Sequence, residues 1–213
     1  MYRLAPHIHA CLVGDTPVLL DTAEGQYRLA RGLTGRHLSA FLHNEATTRM
    51  CETLAAAGLV VPAPQIDDRQ SEPEKPRYAH HQNVRLSQGW ALLPFALILL
   101  VMARSRVRRL SLQRLLETLH DEATRPAKLK FGRISEARIA AAFCLAQRVL
   151  PLSDQCLPNS VAASRMLRLF GHKPTIIIGV RLPIAAHCWV QCQQRLIGDS
   201  PENVEGFQPI LAI

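Results

Sequence analysis

Apolar and polar positions alternate with a period of two at the start of the chain and then widen to helical spacing. The segments HIHACLV and TPVLLD flank the turn-forming pair Gly14-Asp15, and a third short segment surrounds Gly25-Gln26-Tyr27-Arg28-Leu29. This pattern predicts a small antiparallel sheet. Leu33, His37, Leu38, Phe41 and Leu42 then recur at helical spacing, and Thr47 to Gly58 repeats the pattern with Leu54 and Ala55 before Gly58 ends it. Three strands followed by helices make a unit large enough to bind a peptide.

From Pro62 the sequence PAPQIDDRQSEPEKP is rich in proline and charge, with too little apolar surface to offset the entropy of ordering it. It divides the chain into residues 1–62, a linker at 63–76, and residues 77–213. Beyond it, residues 86–103 and 108–122 carry helical patterning, and Ile134 to Leu150 has an alanine-rich helical face. The tail alternates again. Thr175 to Leu182 reads as a buried strand, and His187 to Cys192 and Arg195 to Asp199 as two more. The expected fold class is therefore α+β, a small strand-then-helix module joined to a larger domain of helices followed by an antiparallel sheet.

Composition narrows the field. With 213 residues, 48% of them hydrophobic and 20% charged, the chain is not a disordered polypeptide. The stretch WALLPFALILLVMA, residues 90–103, is the most apolar, about half the length a bilayer requires, and it contains Pro94, so it reads as a buried helix. The net charge of +8 is local: residues 101–140 hold ten Lys or Arg against four Asp or Glu, whereas residues 1–100 balance at nine each. Arg104, Arg106, Arg108 and Arg109 could face nucleic acid, anionic lipid or an acidic protein, the plainer reading being a solvated helix face. No nucleic-acid motif is present and aromatic residues for base stacking are few, so neither nucleic acid nor membrane is an expected partner. The six cysteines have no paired metal-ligand spacing, and the start MYRLAPHIHA lacks a secretory apolar run. Reduced thiols in a cytoplasm, and no metal, are the expectation.

Candidate chemistry centres on Cys156. In LSDQCLPNSVAASRMLRLFG, Ser153 and Asp154 are capping candidates, Val161, Ala162, Met166 and Leu169 supply a helical face, and Gly171 can terminate it. Pro158 lacks an N–H and is tolerated only near a first turn, so Cys156 falls in that turn. Unpaired N–H groups and the positive end of the helix dipole there favour thiolate over thiol, and they can also stabilise an oxyanion. A base is then needed, and His187 in AAHCWVQ lies on a predicted strand downstream. Asp199 in LIGDS would orient it. A hairpin turning about residue 193 sets His187 opposite Asp199, whereas a two-residue turn at Gln193-Gln194 would set it opposite Ser200 and send Asp199 to the other face. Either Gly198 or the run QCQQR must then absorb one residue. Taken singly, each of the three has a plain reading: a buried small hydrophobe, a core histidine and a turn former.

A cysteine at a helix head, an apolar strand, then His and Asp on neighbouring strands is the chain order of the papain-like transglutaminase core. The segment LRLFGHKPTIIIGVRLPIAAHCWVQCQQRLIGDSPENVEGFQPIL further resembles the C-terminal signature of lasso-peptide B proteins. That likeness is strong over residues 150–213. Residues 1–62 resemble, more weakly, the winged-helix-like PqqD-type element that binds leader peptides, and residues 77–148 fit mainly by length and by their hydrophobic helix. The resemblance implies a cysteine leader peptidase with Cys156 as nucleophile, His187 as base then acid, and Asp199 as the orienting carboxylate. It further implies leader binding as an added strand near Tyr27, Arg28 and Leu29, with Leu54 on the last helix of the module. The implied partners are the precursor's leader and an asparagine-synthetase-like cyclase. No nucleotide-binding loop is present, so no cofactor is assigned to this chain and any ATP dependence enters through the cyclase. Two departures stand out, Cys188 where the family commonly has alanine and Gln191 where it commonly has glutamate. The competing readings are a non-catalytic protein that presents the precursor, an acyltransferase on the same fold, and a membrane-surface scaffold using residues 90–109.

Overall fold

In the computed structural model, which describes residues 1–63, 78–79, 86–124, 134–150 and 155–213, the opening alternation forms β1 (Tyr2–Leu4), β2 (Ile8–Val13), β3 (Thr16–Asp21) and β4 (Gln26–Leu29). Strands β2, β3 and β4 pair antiparallel in that order, with Val13 opposite Thr16 and Asp21 opposite Gln26. Two helices follow, α1 (Gly32–Leu42) and α2 (Thr48–Ala56), the latter capped by the Thr47 hydroxyl accepting from the Met50 N–H. A strand outside the sequence reading, β5 (Val60–Pro62), returns to pair with β1 and ties the first residues down. Both are three residues long, too short for a period-two signal to stand out. Ile8, Leu19, Leu38, Phe41 and Leu54 fill the small core between this sheet and its helices.

The rest comprises β6 (Tyr78–Ala79), a 3-10 segment (Leu86–Leu92), α3 (Leu93–Arg109), α4 (Leu112–Thr124), α5 (Glu136–Val149), α6 (Cys156–Leu169), β7 (Thr175–Arg181), β8 (Ala185–Cys192), β9 (Arg195–Leu196), α7 (Pro201–Val204) and β10 (Gln208–Ala212). Helices followed by a mostly antiparallel sheet match the expected class. The sheet runs β10-β7-β8-β9-β6, and only the β6–β9 pairing is parallel. β10, like β1, β5 and β6, lies outside the sequence reading, a short strand containing Pro209 that survives at the sheet edge, where a missing N–H costs little. Of the linker at 63–76, only Ala63 is described.

The main core lies between the helices and one face of this sheet, and it also takes in the N-terminal sheet. Cys11, Val18 and Leu20 share it with Leu100, Phe143, Met166 and Ile178, and the Thr22 carbonyl accepts the Gln113 N–H at 3.1 Å. The apolar stretch runs further than residues 90–103 suggest: Leu86–Arg109 has the length and composition to cross a membrane. In the fold, Ala96, Leu99, Leu100 and Ala103 face the core, while Trp90, Ile98, Val101 and Met102 are exposed. Pro94 begins α3 instead of interrupting it.

The alanine face of α5 exists to admit the 3-10 segment at close range. A Cβ on Gly89 would lie 2.6 Å from backbone atoms of Ala141 and Ala142, with no flexible side chain to yield. Gly89→Ala is expected to cost roughly 1–3 kcal/mol, read as a melting temperature lower by several degrees in thermal unfolding.

Candidate active site

Cys156 is the first residue of α6, with Gln155 in the N-cap position and Pro158 within the first turn. The capping candidates Ser153 and Asp154 lie outside the described residues. The helix ends as the sequence suggests: Gly171 has φ +84°, and the N–H groups of Gly171 and His172 bond back to Arg168 and Leu167. Met166 and Leu167 are completely buried and fix the helix on the sheet, so its head is rigidly aimed.

His187 is held by β8. Its Nε2–H donates to Asp199 Oδ2 at 2.6 Å, and the ring shares the cleft with Cys156, each favouring the charged form of the other, so Nδ1 is the nitrogen left for the sulfur. The ring packs beside Trp189, near parallel with centroids 6.1 Å apart, and against Phe207 at 5.5 Å. Gly179 makes room for this. A Cβ there would stand 2.6 Å from the Trp189 ring, so the glycine of the GV strand is what lets the indole lie against β7. The buried indole N–H is taken by Gln191 Oε1 at 3.2 Å.

The turn between β8 and β9 is the two-residue one, Gln193-Gln194. Cys192 stands opposite Arg195, Gln191 opposite Leu196, and the Ile197 N–H reaches the Val190 carbonyl at 3.0 Å. That register alone would carry Asp199 away from the histidine. Gly198, at φ +73°, absorbs the extra residue and swings Asp199 back, so of the two candidates for this task it is the glycine that acts. Asp199 Oδ1 then accepts from the Ser200 N–H at 2.8 Å and from Asn203 Nδ2 at 2.9 Å. Asn203 escaped the sequence reading, although Ser200-Pro201 ahead of it is a helix-start signature, and α7 begins there with Ser200 as its cap.

The electrostatics follow from these contacts. Burial alone would raise the Cys156 thiol, but the His187 hydrogen bond, the Cys188 N–H, the imidazolium charge and the Leu157 N–H outweigh it and hold the pKa below the ordinary thiol value. The Asp199 hydrogen bond and then the Cys156 hydrogen bond raise His187 to about 9 against the effect of burial. For Asp199 burial also works upward, yet the hydrogen bonds from His187 and Asn203 keep it below its usual value. All three shifts run toward the same charged arrangement, a thiolate and an imidazolium braced by a carboxylate. These groups line a cleft of about 590 Å³ whose other walls include Gln155, Asn159, Trp189 and Asn203. No set of three or more His, Cys, Asp or Glu side chains able to hold a metal occurs among the described residues.

Of the residues named for leader binding, Tyr27 and Leu29 lie on the face of β4 that packs toward the main core. The Tyr27 hydroxyl, raised to about 12 by burial and then by the charges of Cys188 and Cys156, is within electrostatic reach of the cleft. Arg28 points to solvent and pairs with Glu24. Leu54 is fully enclosed in the small core. Strand β4 is the last of its sheet, so one of its edges is unpaired among the described strands.

A model of the transglutaminase-like superfamily matches residues 95–212, just over half of the chain, and spans all three residues of the hydrogen-bonded cluster. No curated protein and no solved structure matches the chain.

Proposed function

We propose that this chain, which belongs to the transglutaminase-like superfamily, is a cysteine endopeptidase that removes the leader from a ribosomally made lasso-peptide precursor. The superfamily in general contains cysteine-dependent hydrolases and transferases, and the observation that carries the finer reading is the grouping in one cleft of Cys156 at a helix head with His187 hydrogen-bonded to Asp199. Support for a peptide substrate comes from the edge of β4 left unpaired among the described strands, where an extended segment can add as a strand. In this reading residues 1–62 bind the leader, 63–76 connect, and 77–213 cut. The six free thiols suit a reducing cytoplasm.

The Cys156 thiolate attacks the scissile carbonyl carbon, and N–H groups at the helix head stabilise the oxyanion. Imidazolium His187 passes its proton to the leaving amine nitrogen as the C–N bond breaks, leaving the leader as a thioester on Cys156. Neutral His187 then takes a proton from water, whose oxygen attacks the thioester. Collapse releases the leader as a carboxylate and restores the thiolate–imidazolium pair. Asp199 keeps the ring in one orientation throughout.

The test is incubation of the full chain with a candidate precursor and its asparagine-synthetase-like cyclase, followed by mass spectrometry. A leader ending in a free carboxylate is the expected product. A leader carrying an added amine instead assigns the chain as an acyltransferase, and maturation that persists with Cys156→Ala assigns it as a presenting protein.

A further inference from the structure

Among the described strands, none covers the edge of β8 at the candidate active site. In an antiparallel ladder the N–H and C=O of one residue point to the same side, and alternate residues point to opposite sides. Val190 faces β9, since its carbonyl accepts the Ile197 N–H. Cys188, two residues earlier, faces the same way, but β9 ends its pairing at Leu196 and the chain leaves the sheet at Gly198. Both backbone groups of Cys188 would therefore be orphaned in a buried place. Helix α6 lies against both. The Ser160 hydroxyl donates to the Cys188 carbonyl at 3.0 Å, and the Cys188 N–H, on the same side of the strand, is turned toward the helix head, where it favours the ionised form of Cys156. Ser160 is 5% exposed, one of the few buried polar residues among those described.

We propose that Ser160 is a positioning residue: by gripping the Cys188 carbonyl it holds that peptide edge against the head of α6, keeping the Cys188 N–H on the Cys156 sulfur and His187 in reach of it. The N–H offers the sulfur a backbone donor in addition to the His187 ring, and the hydroxyl sets its position. The Cys188 thiol is a bystander. Fully enclosed, and pushed up to about 12 chiefly by burial, it stays protonated. The inference rests on Cys156 being the reactive thiolate, and its test needs no substrate, so it can fail while the peptidase reading stands.

The measurement is the pH dependence of iodoacetamide alkylation at Cys156 in the full chain, followed by mass spectrometry of the labelled peptide. Ser160→Ala is expected to move the midpoint upward by about one pH unit, a roughly tenfold loss of thiolate below the midpoint. Ser160→Thr, which restores a hydroxyl, should return it toward the wild-type value. Ser164→Ala removes another buried hydroxyl one turn further along α6 and should leave the midpoint in place. A Ser160→Ala protein that melts earlier but keeps the wild-type midpoint overturns the proposal, because that is what a purely structural serine would do. Should Ser160→Ala not fold, Ser160→Cys offers a weaker donor in nearly the same volume. An unchanged midpoint there, with fragment ions separating Cys156 from position 160, is equally decisive against it.

Discussion

Replacing Cys156 with alanine is expected to lower kcat/KM for precursor cleavage by roughly four to six powers of ten, with thermal unfolding almost unchanged. The size of the loss follows from the absence of a substitute. Cys188 and Cys192 are each raised to about 12, chiefly by burial, and burial also raises Cys144, so no neighbouring thiol is ionised near neutrality. The other two cysteines, Cys11 and Cys51, are buried in the N-terminal strands and helices. Stability should hold because the change removes one partly exposed sulfur at a helix head and opens no cavity in the core. Single-turnover cleavage at enzyme concentrations above substrate is the appropriate measurement, since it separates lost chemistry from lost binding. Cleavage at wild-type rate in the alanine protein would remove the nucleophile from the mechanism.

Asp199→Ala is expected to cost about two to four powers of ten in the same assay, and to change the pH profile as well as its height. In the proposed mechanism an imidazolium protonates the leaving amine, and His187 keeps that proton until pH rises through about 9, so the alkaline limb should fall there. Without the carboxylate that limb moves down toward the ordinary histidine range near 6.5. Asp199→Asn should fall between, because an amide oxygen still accepts the Nε2–H but carries no charge. The same shifts enter stability with opposite signs. His187, raised on folding from 6.5 to about 9, contributes stability that is complete below pH 6.5 and disappears as pH climbs through about 9. Asp199, lowered on folding from 3.8, contributes above pH 3.8 and loses that contribution as pH falls through its depressed value. The pair therefore stabilises most between about 3.8 and 6.5, and Asp199→Ala should flatten both slopes of melting temperature against pH.

Much of this site can be read from residue order. Pro158 restricts the start of α6, so a cysteine two positions earlier must lie at its head. The alternation in AAHCWVQ places His187 on a strand. Register is another matter, because two hairpin geometries differing by one residue are both consistent with QCQQRLIGD. The choice belongs to Gln193, which accepts φ +55° in a two-residue turn, and to Gly198, which restores the alignment six residues after Cys192. Elements held by distant partners were the least legible. β1, β5 and β10 are short, and what keeps them is pairing with strands far away in sequence, which local propensity does not encode. The Ser160–Cys188 contact spans 28 positions and depends on where β9 stops pairing, so it becomes visible only in three dimensions.

The interior to which Cys11, Val18 and Leu20 contribute is the same one that seats α6. A gene severed within the proline-rich stretch would therefore yield two polypeptides, each displaying raw apolar surface to solvent and each prone to aggregate until it met the other. In the intact polypeptide, heat should dismantle the front sheet and the helix that carries Cys156 in one cooperative step, so whatever grips β4 also steadies that helix against unfolding.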